Sequence, residues 1–258
     1  MTRQNKIAKI LDLNKSLVYG QTLISTKTSM ENPLKRAFKK YPRFYQMVRR
    51  IVSPTLFLRG QSSAFFIRNV SYEKIIINVG SGNRRIREDV INVDMLSYED
   101  VDVCARAEDL PFKDESVDYL IAETLLEHVK DPVGVVNEFW RVLKVNGVVF
   151  MTIPFLYPFH AVPEDYTRFT ANGVQELLRD FDVKRLEIYA GPVSTLIWSL
   201  AYFCALPISY LGRGVFEYTA YLLMVILSPL KILDMVIRKF PGATFIATGF
   251  LFVGVKRG

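Results

Sequence analysis

Cysteine, histidine and tryptophan are scarce here, with two of each in 258 residues. Cys104 and Cys204 stand far apart with no CxxC, which argues against a disulfide framework and leaves no zinc-type ligand spacing, so no metal site is expected. No apolar run follows the basic N-terminal residues, so no secretory signal is read and the cytoplasm is the expected location. Acidic residues are nearly missing from positions 1–60, where only Asp12 and Glu31 face 13 lysines and arginines. The formal charge of +7 therefore resides in this arm, and the rest of the chain is slightly acidic. Such an arm attracts phosphate, on nucleic acid or on anionic lipid headgroups, or simply keeps the chain soluble. Residues 193–211 lack charge altogether, and residues 215–230 hold only Glu217.

What is present supports a packed core: half of the residues are hydrophobic and 23% are charged, in a length suited to one α/β domain with additions. Residues 1–30 are polar without a sustained period and are expected to be poorly ordered. In residues 33–58, Phe38, Tyr41, Phe44, Tyr45, Val48 and Ile51 recur at spacings near three and four among basic residues. That pattern predicts a basic amphipathic helix, interrupted near Pro42, that lies on a membrane or caps the core. The organisation expected is a basic arm over 1–70 and an α/β domain over 71–258, with an apolar insert at about 193–240.

From residue 73 strands and helices alternate. Residues 74–79 (KIIINV) form a β-branched run ending in glycine, the pattern of a buried parallel strand. Further strands are predicted at 90–93, ending at Asp94, and at 101–104, 117–122, 148–153, 183–189 and 246–255. Helices are predicted at 131–144, closed by Asn146-Gly147, and at 171–180. This alternation specifies a parallel sheet with helices on its faces. The two apolar runs are each near the length that crosses a bilayer, about 20 residues, with Pro207 and Pro229 placed to bend or end helices. A buried hairpin, one dipped into a single leaflet, and two spans all fit. Because the last strand must rejoin the sheet, a single span does not.

The sharpest local feature is Gly80-Ser81-Gly82, at the end of the first strand. Glycine there permits close approach of backbone to a ligand. Asp94 ends the next strand, where a carboxylate can accept hydrogen bonds from ribose hydroxyls. The pair reads as an adenosine site, or as a tight turn beside a surface acid. A dinucleotide site fits less well. Its third glycine position is Arg85, and only about ten residues separate the two strands, short for a helical crossover of a dozen or more. The first helix is therefore expected to be reduced or lost.

Ala107-Glu108-Asp109-Leu110-Pro111-Phe112, Ser116-Val117-Asp118, Leu126-Glu127-His128-Val129, Arg141-Val142-Leu143-Lys144 with Gly147, and Ile153-Pro154-Phe155 follow in order. Together they resemble class I S-adenosylmethionine-dependent methyltransferases of the type 11 group, over residues 74–190. The stretch with His160, Pro163-Glu164-Asp165-Tyr166 and Arg168-Phe169-Thr170 is similar to a bacterial subgroup associated with surface-glycan or envelope biosynthesis. Together with the short first connection and the two apolar runs, the resemblance implies a Rossmann-like, mostly parallel seven-stranded sheet with a reduced first helix and a hydrophobic helical hairpin inserted before a final antiparallel strand.

It also implies roles. Gly80, Ser81 and Gly82 face the methionine part of S-adenosylmethionine, Asp94 its ribose, Ala107 and Glu108 its adenine, and Glu123 closes the site near the sulfonium. Asn78 stands where an acid is usual, Arg84 where a third glycine is common, and Arg106 where an Asp often meets the adenine. His160, with Asp165 and Tyr166 nearby, is the candidate base or acceptor orienter, and His128 reads as structural. The function expected is methyl transfer to a small-molecule or lipid-linked acceptor. Residues 33–58 and 193–238 would bring the site to the cytoplasmic membrane face, as a peripheral or monotopic protein. An RNA methyltransferase leaves the apolar hairpin unexplained, so nucleic acid is not the favoured partner. A non-catalytic membrane adaptor with a vestigial site is the other alternative.

Overall fold

The computed structural model describes residues 2–12, 15, 53–56, 58–160 and 164–258. Most of the amphipathic segment predicted at 33–58 lies outside them. Seven strands form one sheet: β1 (Ile76–Val79), β2 (Ile91–Asp94), β3 (Val103–Cys104), β4 (Val117–Glu123), β5 (Leu143–Pro154), β6 (Phe181–Ala190) and β7 (Gly249–Lys256). Their spatial order is β3-β2-β1-β4-β5-β7-β6. The first five are parallel, and β7 runs antiparallel to both β5 and β6.

Side chains of β1 alternate between two buried layers, as successive residues of a strand must. Ile77 and Val79 join the larger layer with Phe139 of helix α3 (Pro132–Val142) and Val174 of α4 (Ala171–Leu177), while Ile76 joins the smaller one. Helix α3 starts cleanly because the Asp131 side chain accepts the Gly134 amide and proline occupies its first turn.

No helix joins β1 to β2. Right-handed crossover would place that helix on the face opposite α3, because the two connections step in opposite directions along the sheet. On that face Phe66, Ile67 and Val70, from and just after the short helix α2 (Ser63–Phe66), together with Ile86, cover Ile76 and Val90 instead. The shortened connection is held by polar groups. Arg85 donates to the carbonyls of Val90 and Asp100 and pairs with Asp102, and Asn92 bridges Arg84 and Asp100 carbonyls. Asn78, opposite Asn92 in the parallel register, donates to its side-chain oxygen at 3.3 Å.

Two expectations need correction. Residues 3–10 are ordered as helix α1 (Arg3–Ile10), capped by the Thr2 side chain. Ile10 enters the core, and the fully buried Lys6 ammonium bonds the Lys74 carbonyl at 2.7 Å and Asp89 at 3.0 Å. One buried cation and two isoleucines are too short a pattern to register as periodicity. Residues 143–147, expected to end a helix, open β5: Asn146 adopts φ of +63°, which Asn tolerates, inside an irregular stretch of strand.

Between β6 and β7 the chain forms α5 (Pro192–Ala205), α6 (Arg213–Leu227) and the short α7 (Asp234–Ile237). Both long helices pass into 3-10 turns at Pro207 and Pro229, whose missing amide protons end regular α-helix. Ala201, Ala205, Ala220 and Met224 let α5 and α6 approach closely. Their outer faces are not enclosed: Phe203, Tyr218, Leu222 and Ile226 are all at least 60% exposed. The hairpin is therefore attached to the domain rather than buried within it.

Candidate functional site

The parallel strands end along one edge, where the chain must turn sharply. Gly80 and Gly82 both have positive φ, +71° and +54°. A Cβ on Gly80 would lie 2.9 Å from Leu125 Cδ1, so glycine is required there by packing as well as by backbone angle. Gly82 is different: nothing lies within 4 Å of where its Cβ would be, so the turn presents an open backbone face. Ser81 is buried beneath that face. Asp94 accepts the Gly82 amide on Oδ2 at 2.8 Å and the Leu96 amide on Oδ1 at 2.9 Å. Each carboxylate oxygen keeps acceptor capacity for a ligand hydroxyl. The Asp94 carbonyl also accepts the Ala105 amide, which draws Ala107 and Glu108 alongside; Ala107 is buried, and Glu108 is ion-paired with Arg106 at 3.2 Å.

Beside this turn opens a cavity of about 590 Å³. Glu123, Thr152 and Pro154 from the ends of β4 and β5 line it on one side, and Trp198, Tyr221 and Met224 from the hairpin on another. Glu123 accepts Arg84 at 2.8 Å and the Ser63 hydroxyl at 3.0 Å through one oxygen. Of the residues expected from sequence, Glu123 and His160 line this cavity, whereas the glycine turn, Asp94, Ala107 and Glu108 lie on the neighbouring strand ends.

His160 is half-buried. Desolvation and the nearby His128 lower its pKa, so the ring is neutral around pH 7. Asp165 accepts the His160 amide at 2.8 Å and forms a two-pronged ion pair with Arg168, which holds its pKa down at about 2. Asp165 thus fastens the loop that carries His160 and stays charged. Tyr166 points elsewhere: it is 46% exposed, near Lys130, and does not line the cavity. Behind His160, the rings of His128 and His160 meet edge to face at 5.0 Å over the carboxylate of Glu127. Glu127 is fully buried, and desolvation raises its pKa to about 7.

Residues 81–151 match the family model of the methyltransferase domain. Over those residues, from the turn after β1 into β5, the chain is similar to a methyltransferase domain. The curated relative it matches, an uncharacterised protein of Methanocaldococcus jannaschii, is 30% identical over 96 residues, 33% of this chain, and the match spans 47% of that protein's length. Among solved structures, a candidate sarcosine dimethylglycine methyltransferase from Galdieria sulphuraria superposes with a TM-score of 0.50 at 12% identity, over 82% of this chain and 97% of that one. A methyltransferase from Thermotoga maritima gives 0.42 at 20% identity, over 59% and 82%. These are likenesses of fold.

The cofactor of this methyltransferase class is S-adenosylmethionine, and the strand ends fit it. The open backbone at Gly82, the acceptor capacity of Asp94 and the apolar Ala107 lie on adjacent connections. The sequence reading missed the hairpin residues of the cavity, Trp198, Tyr221 and Met224, because they lie beyond the matched motifs and only folding brings them over β4 and β5. It also missed Glu127. An acid beside a histidine just after a strand's carboxyl end was the available signal, but burial is not visible in sequence.

Proposed function

We propose that this methyltransferase domain transfers the methyl group of S-adenosylmethionine to an amphiphilic, lipid-linked acceptor at a membrane surface. The observation that carries the reading is the shared wall: the cavity beside the cofactor turn is closed by α5 and α6, whose opposite faces expose Phe203, Tyr218, Leu222 and Ile226. Exposed apolar surface on that scale marks a membrane or partner interface. Lying in the headgroup plane, the hairpin buries those side chains in the acyl boundary and leaves the Arg213–Glu217 pair at its tip in water. An acceptor whose lipid portion stays in the bilayer then enters the cavity past Trp198 and Tyr221.

When bound, the cofactor supplies an already activated methyl group on a sulfonium. The protein's task is then mainly positioning, worth about 7–11 kcal/mol for a well-aligned pair. Gly80, Ser81 and Gly82 offer backbone to the methionine part, and Asp94 receives the ribose. Glu123, anchored by Ser63, faces the site from the end of β4. Neutral His160, at the cavity rim, helps to orient an acceptor hydroxyl or amine.

The test uses methyl-labelled S-adenosylmethionine with purified protein and fractionated membrane lipid, RNA and soluble metabolites. The proposal expects label in the lipid fraction, reduced by more than tenfold in Asp94→Ala. Label only in RNA, or only in water-soluble products, refutes the lipid acceptor. Absence of transfer together with absence of cofactor binding would favour the adaptor reading.

A further inference from the structure

The Glu127–His128–His160 cluster is over-provided with acceptors. The Glu127 side chain is completely buried, and neither carboxylate oxygen meets a hydrogen-bond donor from another residue. An unpaired buried carboxylate is costly and calls for a partner. The Nε2 atoms of His128 and His160 lie 3.6 and 3.7 Å from Oε1. Their tautomers are constrained from the other side of each ring. His128 Nδ1 lies 2.5 Å from the Glu164 carbonyl, which can only accept, so Nδ1 carries the proton. His160 Nδ1 faces the Pro158 carbonyl at 3.4 Å and Asp165 Oδ2 at 3.6 Å, again acceptors. With both protons on Nδ1, the two Nε2 lone pairs converge on a carboxylate. Three such groups facing one another need a proton or a metal cation between them.

We propose that Glu127, His128 and His160 bind a divalent transition-metal ion of the zinc class at the inner edge of the acceptor cavity. Two imidazoles and one carboxylate are the donor set of catalytic zinc sites that keep an open position. One ligand atom from each residue lies within 4.8 Å of the others, and the two histidine–carboxylate approaches, 3.6 and 3.7 Å, need to close by only a few tenths of an ångström for tetrahedral metal bonds of about 2.0–2.2 Å. The outer contacts also match: ligating histidines ordinarily give their second nitrogen to a carbonyl or carboxylate, as His128 gives it to Glu164 and His160 to Pro158 and Asp165. Arg168 acts on Glu127 through its charge alone, its guanidinium being hydrogen-bonded to Asp165, so it fills no position among the three donors. The ion's open position would face the cavity that His160 lines, where it would take an acceptor oxygen or nitrogen. The site departs from the sequence expectation of no metal, which rested on cysteine spacing and could not see residues 127 and 160 brought together.

The test measures binding rather than turnover, so its result is independent of the proposed acceptor. Chelator-treated protein is titrated with Zn²⁺ by calorimetry, and with Co²⁺ while its visible absorption is followed. The proposal expects one ion per chain, an intense Co²⁺ spectrum typical of low coordination number, and a rise in melting temperature. His160→Ala, at the cavity rim, should weaken binding by at least about tenfold and change the Co²⁺ spectrum. Glu127→Gln should do the same, and His160→Ala decides the matter should Glu127→Gln fail to fold. Lack of saturable binding overturns the proposal and leaves a shared proton as the cluster's cation. So does binding that His160→Ala leaves unchanged, which would place the ion elsewhere.

Discussion

Replacing Asp234 should uncouple the hairpin from the sheet. Asp234 is 1% exposed and reaches across 41 positions of sequence to the start of α5. Its Oδ1 accepts the Val193 amide at 2.8 Å, and its Oδ2 accepts the Ser194 amide at 2.9 Å and the Ser194 hydroxyl at 2.7 Å. It therefore caps α5, which has no capping side chain of its own, and sets a negative charge at that helix's positive end. Val193 and Ser194 are themselves buried, so water cannot replace the lost acceptor. Each orphaned buried donor costs about 1–3 kcal/mol, and with two amides left bare Asp234→Ala should lose about 3–5 kcal/mol. Asp234→Asn keeps one acceptor oxygen and should lose roughly half as much, while Ser194→Ala should lose about 1 kcal/mol. Urea unfolding in mild detergent measures the series, and hydrogen exchange at residues 193–197 localises it. A value for Asp234→Ala within about 0.5 kcal/mol of the parent, or equal losses for all three variants, refutes the capping argument.

The same contact predicts that Gly191→Ala is severely destabilising, because its Cβ would meet the Asp234 carboxylate; thermal unfolding checks this. Arg84 places a cation on Glu123, where the sulfonium of the cofactor is expected, so Arg84→Gly should tighten cofactor binding about two- to fivefold in calorimetry, the scale of an exposed ion pair. The pKa of Asp89 is lowered: burial alone would raise it, but hydrogen bonds and charge from Arg87 and Lys6 outweigh that effect. A carboxylate whose folded pKa is depressed stabilises above its unfolded pKa, near 3.8, and loses that contribution as pH falls through the folded value. Asp89→Asn should therefore destabilise at pH 7, and its difference from the parent should shrink as the pH falls below about 3.8 in acid-unfolding curves. Leu222→Ser with Ile226→Ser should abolish co-flotation with anionic vesicles while leaving cofactor affinity unchanged; undiminished flotation would count against the hairpin as the membrane contact.

Much of the fold was legible because each signal was local. The β-branched run ending at Val79 marked β1, and the short spacing from Gly82 to Asp94 announced that the first helix is absent. What replaces that helix was not legible: Phe66, Ile67 and Val70 cover the bare face, and Arg85 and Asn92 fasten the loop, through contacts distant in sequence or dependent on rotamer. Asn146-Gly147 was misread because the same dipeptide that ends a helix also fits an irregularity within a strand. At the candidate site, the strand pattern was enough to place Gly80, Gly82 and Asp94 along one edge of the sheet, where the Gly82 amide meets Asp94. Loop residues divided: His160 reaches the cavity, and Tyr166, six residues later, faces solvent. Side-chain direction in an irregular loop has no period to betray it.

The central claim is that the glycine turn after β1 and the Asp94 carboxylate together hold an adenosyl group beside the hairpin-walled cavity. A crystal structure with S-adenosylhomocysteine tests it most directly. The account predicts the ribose hydroxyls within hydrogen-bonding distance of Asp94 and the sulfur facing the cavity lined by Glu123 and His160. A ligand bound elsewhere, or an Asp94 carboxylate still satisfied only by the Gly82 and Leu96 amides, would contradict it.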